Sequence, residues 1–254
     1  MTDPVLSVST PLDLPLRIIH GVFGAFLGVA VALALTIVLL PSTAFLAISN
    51  ELQIFTAVAG SLAFVYAYFR FGRQDCMLYA TGAFGLWAAS NIVWYVNIML
   101  GKRNDVFPSL IDIGMIASIF LLTVVYQHAF TRKQVRGSVL LSLLAVTFLV
   151  PLAIIIAYGI NPQTLMTFLY FFGCGSLLII GLIHSVQDYP LILAGTALFC
   201  LAFMIYPLRE TLFPTIPVLN VIGTFVSAGF SLMVLGLIPA VSQKNASARD
   251  NTLE

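Results

Sequence analysis

Ser109 and Asp112, preceded by Phe107 and Pro108 at the head of an apolar run, are the residues of this chain best placed to do chemistry. A carboxyl group in or beside hydrocarbon costs energy unless it is capped, paired or turned to a cavity, so it is a default site candidate. Upstream, Trp87, Asn91, Trp94 and Tyr95 stand at offsets of 0, 4, 7 and 8, which places them on one helical face. Tyr206, Arg209, Glu210 and Asn220 occupy the matching region of the second half of the chain. Together they outline a pocket in which Asp112 is the charged or hydrogen-bonding anchor and aromatic rings form the walls. The expected ligand-binding set is Asp112, Ser109, Asn91, Trp94, Trp87, Tyr95, Asn220 and Glu210, with no catalytic residue assigned.

The same residues have a plainer explanation. Ser109-x-x-Asp112 has the spacing of a capping box, and a carboxylate in a first turn complements the positive end of the helix dipole. Trp94, Tyr95 and Tyr206 suit an interfacial aromatic belt. Both roles can hold together. Asn91 must satisfy its amide in mid-span, against another helix or a ligand. Arg209 and Glu210 adjoin and read as a solvated interfacial pair. His20, His128 and His184 map near helix ends on one side without i, i+4 pairing, so they read as snorkelling residues rather than a metal or haem site. Cys76, Cys174 and Cys200 lie apart with no C-x-x-C spacing and read as small buried hydrophobes. No metal and no cofactor is expected.

The elements that position these residues follow from composition. Sixty per cent of the 254 residues are hydrophobic and 8% are charged, against about 25% charged in a soluble domain. A membrane helix needs roughly 20 mostly apolar residues. Eight stretches qualify: approximately 18–40, 53–71, 77–100, 108–130, 138–158, 164–185, 190–209 and 217–241. The ten-residue alternation of a β-barrel is missing. The fold class is therefore all-α, a polytopic membrane protein with eight transmembrane helices. It divides into a short arm (1–16), a membrane domain (17–241) and a tail (242–254). The first span is too long to read as a cleaved signal peptide.

Even span number puts both termini on one face. That face carries Arg17, Arg70, Arg73, Arg132, Lys133, Arg136, Lys244 and Arg249, against Lys102, Arg103 and Arg209 opposite. The excess of basic residues orients both termini to the cytoplasm of a cell membrane. Asp112 and the aromatic residues then face the outer leaflet. A net charge of +1 gives no electrostatic case for nucleic acid. Walker A, H-E-x-x-H, G-x-S-x-G and kinase motifs are absent. Lys102, Lys133 and Lys244 all fall in loops or the tail, so no lysine is placed for a retinal Schiff base.

Sliding the chain by 109 residues brings helices 2, 3 and 4 onto helices 6, 7 and 8, and Pro108, Gly114 and Ser118 onto Pro217, Gly223 and Ser227. This register fits a parallel four-plus-four duplication, repeat A about 17–130 and repeat B about 137–241, related by an axis along the membrane normal.

The segment from Gly85 through Trp87, Asn91, Trp94 and Tyr95 to Phe107-Pro-Ser-Leu-Ile-Asp112 resembles the multi-pass membrane sensory region found ahead of diguanylate cyclase, phosphodiesterase and histidine kinase domains in bacteria and archaea. In that family an aromatic-rich helix precedes an outer loop and a P-S-x-x-D element, here Pro108, Ser109 and Asp112. The resemblance covers about 40 residues closely and the rest in helix count alone. It implies a sensor, and since the chain carries no output domain, one that signals through a cytoplasmic or membrane partner.

Three functions are thus open. The first is a sensory or ligand-binding protein taking a small molecule or lipid between helices 3, 4, 7 and 8. The second is a small transporter, which needs polar residues along a full path. The third is an intramembrane lipid hydrolase, with precedent in the lysoplasmalogenase-like eight-helix enzymes, using Asp112 with Glu210.

Overall fold

The computed structural model describes residues 14–39, 43–71, 73–100, 109–184, 186–212 and 221–250. They form eight helices: α1 Leu14–Leu39, α2 Thr43–Arg70, α3 Asp75–Met99, α4 Leu110–Ala129, α5 Gly137–Tyr158, α6 Pro162–Ile183, α7 Pro190–Leu212 and α8 Ile222–Asp250. A single 3₁₀ turn, Val186–Asp188, joins α6 to α7. All eight are long and apolar enough to cross a membrane. The chain is an integral, multi-pass membrane protein.

Two boundaries differ from expectation. The stretch from Pro41 to Asn50 reads as a break in sequence, yet α2 starts at Thr43. Its polar residues do not end the helix because they face inward: Ser49 and Gln53 are buried, and Gln53 donates to Asn50 Oδ1 at 3.3 Å. At the other end α8 runs on to Asp250, through most of the expected tail.

The arrangement is a ring with two outliers. α2, α3, α4, α6, α7 and α8 each pack on the next, and α8 closes back on α2. α1 lies outside against α8 and α2, and α5 outside against α6. The axis of the ring is filled by Phe84, Trp87, Tyr126, Phe199, Phe203 and Phe230, all buried. Hydrophobic attraction between helices is weak in lipid, so close packing of small residues and interhelical hydrogen bonds must hold the ring. Gly195 of α7 and Gly229 of α8 meet backbone to backbone: a Cβ on Gly195 would lie 2.7 Å from the Gly229 carbonyl oxygen, and one on Gly229 would lie 2.8 Å from that of Gly195. Ser118 Oγ of α4 donates to the Ala83 carbonyl of α3 at 2.7 Å, and Tyr126 of α4 pairs with Thr196 of α7 at 2.5 Å. Other span hydroxyls, such as Thr56, Thr167 and Ser231, donate to the carbonyl four residues back, which satisfies them without a partner helix.

Exchanging α1–α4 with α5–α8 reproduces most neighbour relations: α2 on α3 matches α6 on α7, α3 on α4 matches α7 on α8, and α4 on α6 matches α8 on α2. α1 also packs on α8, whereas α5 has no comparable contact with α4. Residue identities do not follow the pattern. In the 109-residue register Trp87, Asn91 and Asp112 fall against Thr196, Cys200 and Val221, so the candidate site does not recur, and the packing alone does not establish a duplication.

Eight successive crossings put the start of α1 and the end of α8 at one end of the bundle, here the terminal end. The start of α4 lies at the other, with the ends of α3, α5 and α7. At the terminal end Lys133 forms an ion pair with Asp188, and Lys133 N–H donates to the Ile183 carbonyl at 2.7 Å. The 130–136 connection is thereby tied to the last turn of α6.

Candidate functional site

Ser109 is the N-cap of α4, with extended backbone at φ −116 and ψ 165. Its backbone N–H donates to Asp112 Oδ2 at 2.6 Å and its hydroxyl donates to the same oxygen at 2.9 Å. This is the carboxylate half of a capping box, as the spacing predicts. The other oxygen has a partner the sequence did not reveal: Tyr170 of α6 donates its hydroxyl to Asp112 Oδ1 at 2.8 Å. Side chains on a helix lean toward its N-terminus. Tyr170, two turns into α6, therefore reaches up to the first turn of α4, since both helices start at the same end.

Asp112 is 2% exposed and Tyr170 fully buried. Among the described residues Asp112 has no basic partner. The group instead rests on three hydrogen bonds and the positive end of α4, which together offset the cost of burying it. A carboxylate oxygen offers two acceptor positions. Among the described residues Oδ2 uses both on Ser109, whereas Oδ1 uses one on Tyr170 and keeps one.

Behind Tyr170 runs a continuous aromatic wedge. Its ring stacks on Phe203 of α7 at 5.7 Å and 17°, and meets Tyr206 edge-on at 5.6 Å. Phe203 in turn packs edge-on against Trp87 of α3 at 4.5 Å and 80°. Phe199 and Phe230 close the other sides of Trp87, each at 5.7 Å. Asp112 on α4 is thus linked through α6 and α7 to α3 at mid-membrane. Trp87 is 1% exposed, and among the described residues its Nε1–H has no hydrogen-bond partner. Ser49 Oγ is a second buried polar atom without one, pressed against Gly223 where α2 meets α8.

The remaining expected residues scatter. Asn91 is 3% exposed, and its amide donates to the Trp87 carbonyl at 3.0 Å, so one of its two N–H donors is satisfied within α3. Tyr95 donates to Glu51 of α2 at 3.1 Å, which draws it toward α2. Trp94 is half-buried near the same end of α3. Glu210 belongs to the last turn of α7, with its side chain outside the description, and Asn220 lies outside the described residues, as do Phe107 and Pro108. The structure therefore joins Ser109, Asp112 and Trp87 through Tyr170 and Phe203, neither of which the sequence singled out. A tyrosine within a membrane span signals that its phenol needs an acceptor if buried, but nothing in the sequence says which helix supplies it.

The histidines stay apart: His20 Nδ1 donates to the Leu16 carbonyl at 2.7 Å, His184 Nδ1 to Ile180 at 3.0 Å, and His128 lies beside the Tyr79 ring. A groove of about 430 Å³ runs from Leu149 to Tyr158 of α5 beside Leu208 of α7. It is apolar, faces the hydrocarbon and shares no residue with the Asp112 cluster. Comparison of the chain with family models, with curated proteins and with solved structures finds no match.

Proposed function

We propose that this chain is a membrane-embedded sensory or ligand-binding protein whose ligand is read at Asp112. One observation carries the reading: a buried carboxyl group that, among the described residues, has no basic partner and one acceptor position unused, held by donors from two helices with an unbroken aromatic wedge behind it. A structural cap needs only Ser109. The tie to Tyr170 makes the position of α6 depend on the state of Asp112.

The ligand is a small molecule or lipid headgroup that presents a hydrogen-bond donor, a hydroxyl or an amine, at the outer-leaflet end. It competes with half-buried Ser109 or takes the unused position on Oδ1. Tyr170 then shifts against Phe203, and α6 shifts against α7. At the terminal end the Lys133–Asp188 pair and the Lys133–Ile183 hydrogen bond pass movement of α6 to the 130–136 connection, where a cytoplasmic or membrane partner reads it. The ligand drives this only if it binds the two packings unequally. The basic residues at the terminal end support a cytoplasmic location for that partner. The filled ring axis favours such a packing signal over transport, which needs a path past Trp87, Phe199 and Phe230. It also leaves the hydrolase reading resting on Asp112 and Glu210 alone.

Native mass spectrometry of protein released gently from its own membranes tests this. Wild type is expected to retain an adduct of defined mass that Asp112→Asn loses at least tenfold, while a Lys133→Gln control keeps it. Equal retention by both variants, or no adduct in any, would remove the reading.

A further inference from the structure

Glu51 and Tyr95 form a second carboxyl–phenol pair, at the lipid-facing edge of the α2–α3 seam. Tyr95 of α3 donates its hydroxyl to Glu51 Oε1 of α2 at 3.1 Å, and both residues are half-buried. The flanks of the pair are apolar. Ile48 and Phe55 stand three residues before and four after Glu51, Ile92 and Met99 likewise around Tyr95, and all four are exposed. These spacings put them on the same helical faces as the pair. Glu51 lies inside the span Ala47–Arg70, about 6 Å from its start by the rise per residue. Its side chain leans toward the start of α2, so the carboxyl group reaches toward the membrane interface opposite the termini. Among the described residues Tyr95 is its one hydrogen-bond donor and no basic group pairs with it. A neutral phenol does not cancel a charge, and a carboxylate offers about four acceptor positions, of which Tyr95 fills one. A carboxylate at this depth costs energy unless a cation meets it.

We propose that Glu51, oriented by Tyr95, is a docking site for the primary ammonium headgroup of a membrane phospholipid, whose acyl chains lie against Phe55 and Ile92. Those two residues sit one turn deeper than the pair on α2 and α3, where the chains of a lipid held at Glu51 would run. The charges are complementary, and N⁺–H donors make short, charge-assisted bonds to a carboxylate. A quaternary headgroup has no N–H to give, and an anionic headgroup is repelled. A free amine lacks the chains that the exposed apolar flanks hold. The chemistry therefore selects phosphatidylethanolamine over phosphatidylcholine and phosphatidylglycerol. The pair shares no residue with the Asp112–Tyr170 cluster, so nothing in this depends on what binds at Asp112.

Native mass spectrometry of delipidated protein titrated with these three lipids measures the preference. Wild type is expected to bind phosphatidylethanolamine roughly threefold tighter than phosphatidylcholine, the scale of a partly exposed ion pair. Glu51→Gln should bring the two affinities level, while Asp75→Asn, the same change at the terminal end, should keep the preference. Glutamine can still accept from Tyr95, so the fold should hold, and a second measurement needs no variant. In vesicles containing phosphatidylethanolamine, a membrane-permeant carbodiimide should join the Glu51 carboxyl group of wild type to the headgroup amine as an amide, the carbodiimide taking up the water lost. The peptide holding Glu51 then gains the mass of the lipid less one water, and phosphatidylcholine vesicles give no such product. Equal binding of the two lipids, a preference unchanged by Glu51→Gln, equally effective displacement by free ethanolamine, or coupling only at other carboxyl groups would each overturn the proposal.

Discussion

Replacing Asp112 with alanine is expected to destabilise the folded membrane domain by about 2–3 kcal/mol. The loss takes the carboxylate acceptor from two Ser109 donors and from the buried Tyr170 hydroxyl, which keeps the weaker Met115 Sδ contact at 3.8 Å. A poorly paired buried donor costs about 1–3 kcal/mol. Ser109 is half-buried and recovers part of its loss from water, so most of the effect resides in Tyr170. Tyr170→Phe should cost about 1–2 kcal/mol by the same principle. The double variant should be less impaired than the sum, with a coupling of about 1 kcal/mol, within the range for hydrogen bonds between membrane helices. Reversible unfolding in mixed micelles, followed by helix circular dichroism, measures all three. Strict additivity would show that the two side chains do not meet.

Gly195→Ala is expected to be, with Gly229→Ala, among the most damaging single methyls at the described glycines. The added carbon would sit 2.7 Å from the Gly229 carbonyl oxygen and 2.9 Å from Met233 N. Both obstacles are backbone, so α7 and α8 must separate as units. Overpacking of this kind costs about 1–3 kcal/mol, and here the upper end is expected because no side chain can rotate away. Gly28→Ala on α1 is the control: nothing lies within 4 Å of its new methyl, and alanine's helix propensity should leave stability equal or raise it by up to about 1 kcal/mol. Thermal inactivation of the two purified variants should move in opposite directions. Equal behaviour would mean that α7 and α8 are not in backbone contact.

What could be read from sequence follows from the range of each interaction. The eight spans were legible because crossing a bilayer imposes length and apolarity on every helix separately. The start of α2 was not, because Ser49, Asn50, Glu51 and Gln53 look like a polar break until their neighbours are known. Glu51 serves as the acceptor for Tyr95 of α3. The Ser109–Asp112 contact was legible because it is local, three residues apart. The tie to Tyr170, 58 residues from Asp112, was invisible, because periodicity places a residue on a face and says nothing of which helix that face meets. The face shared by Trp87, Asn91, Trp94 and Tyr95 also proved divided: Trp87 enters the aromatic centre while Tyr95 is drawn to α2.

The state of Asp112 is expected to reach Trp87 through Tyr170 and Phe203. Trp87 and Trp94 are the only tryptophans, so Trp94→Phe leaves Trp87 as the sole indole reporter. In that background Asp112→Asn should shift the Trp87 emission although the two side chains sit on separate helices, Tyr170→Phe should shift it in the same direction, and the two together should shift it no further than the larger alone. A Trp87 emission indifferent to Asp112→Asn, or shifts that simply add, would contradict the account.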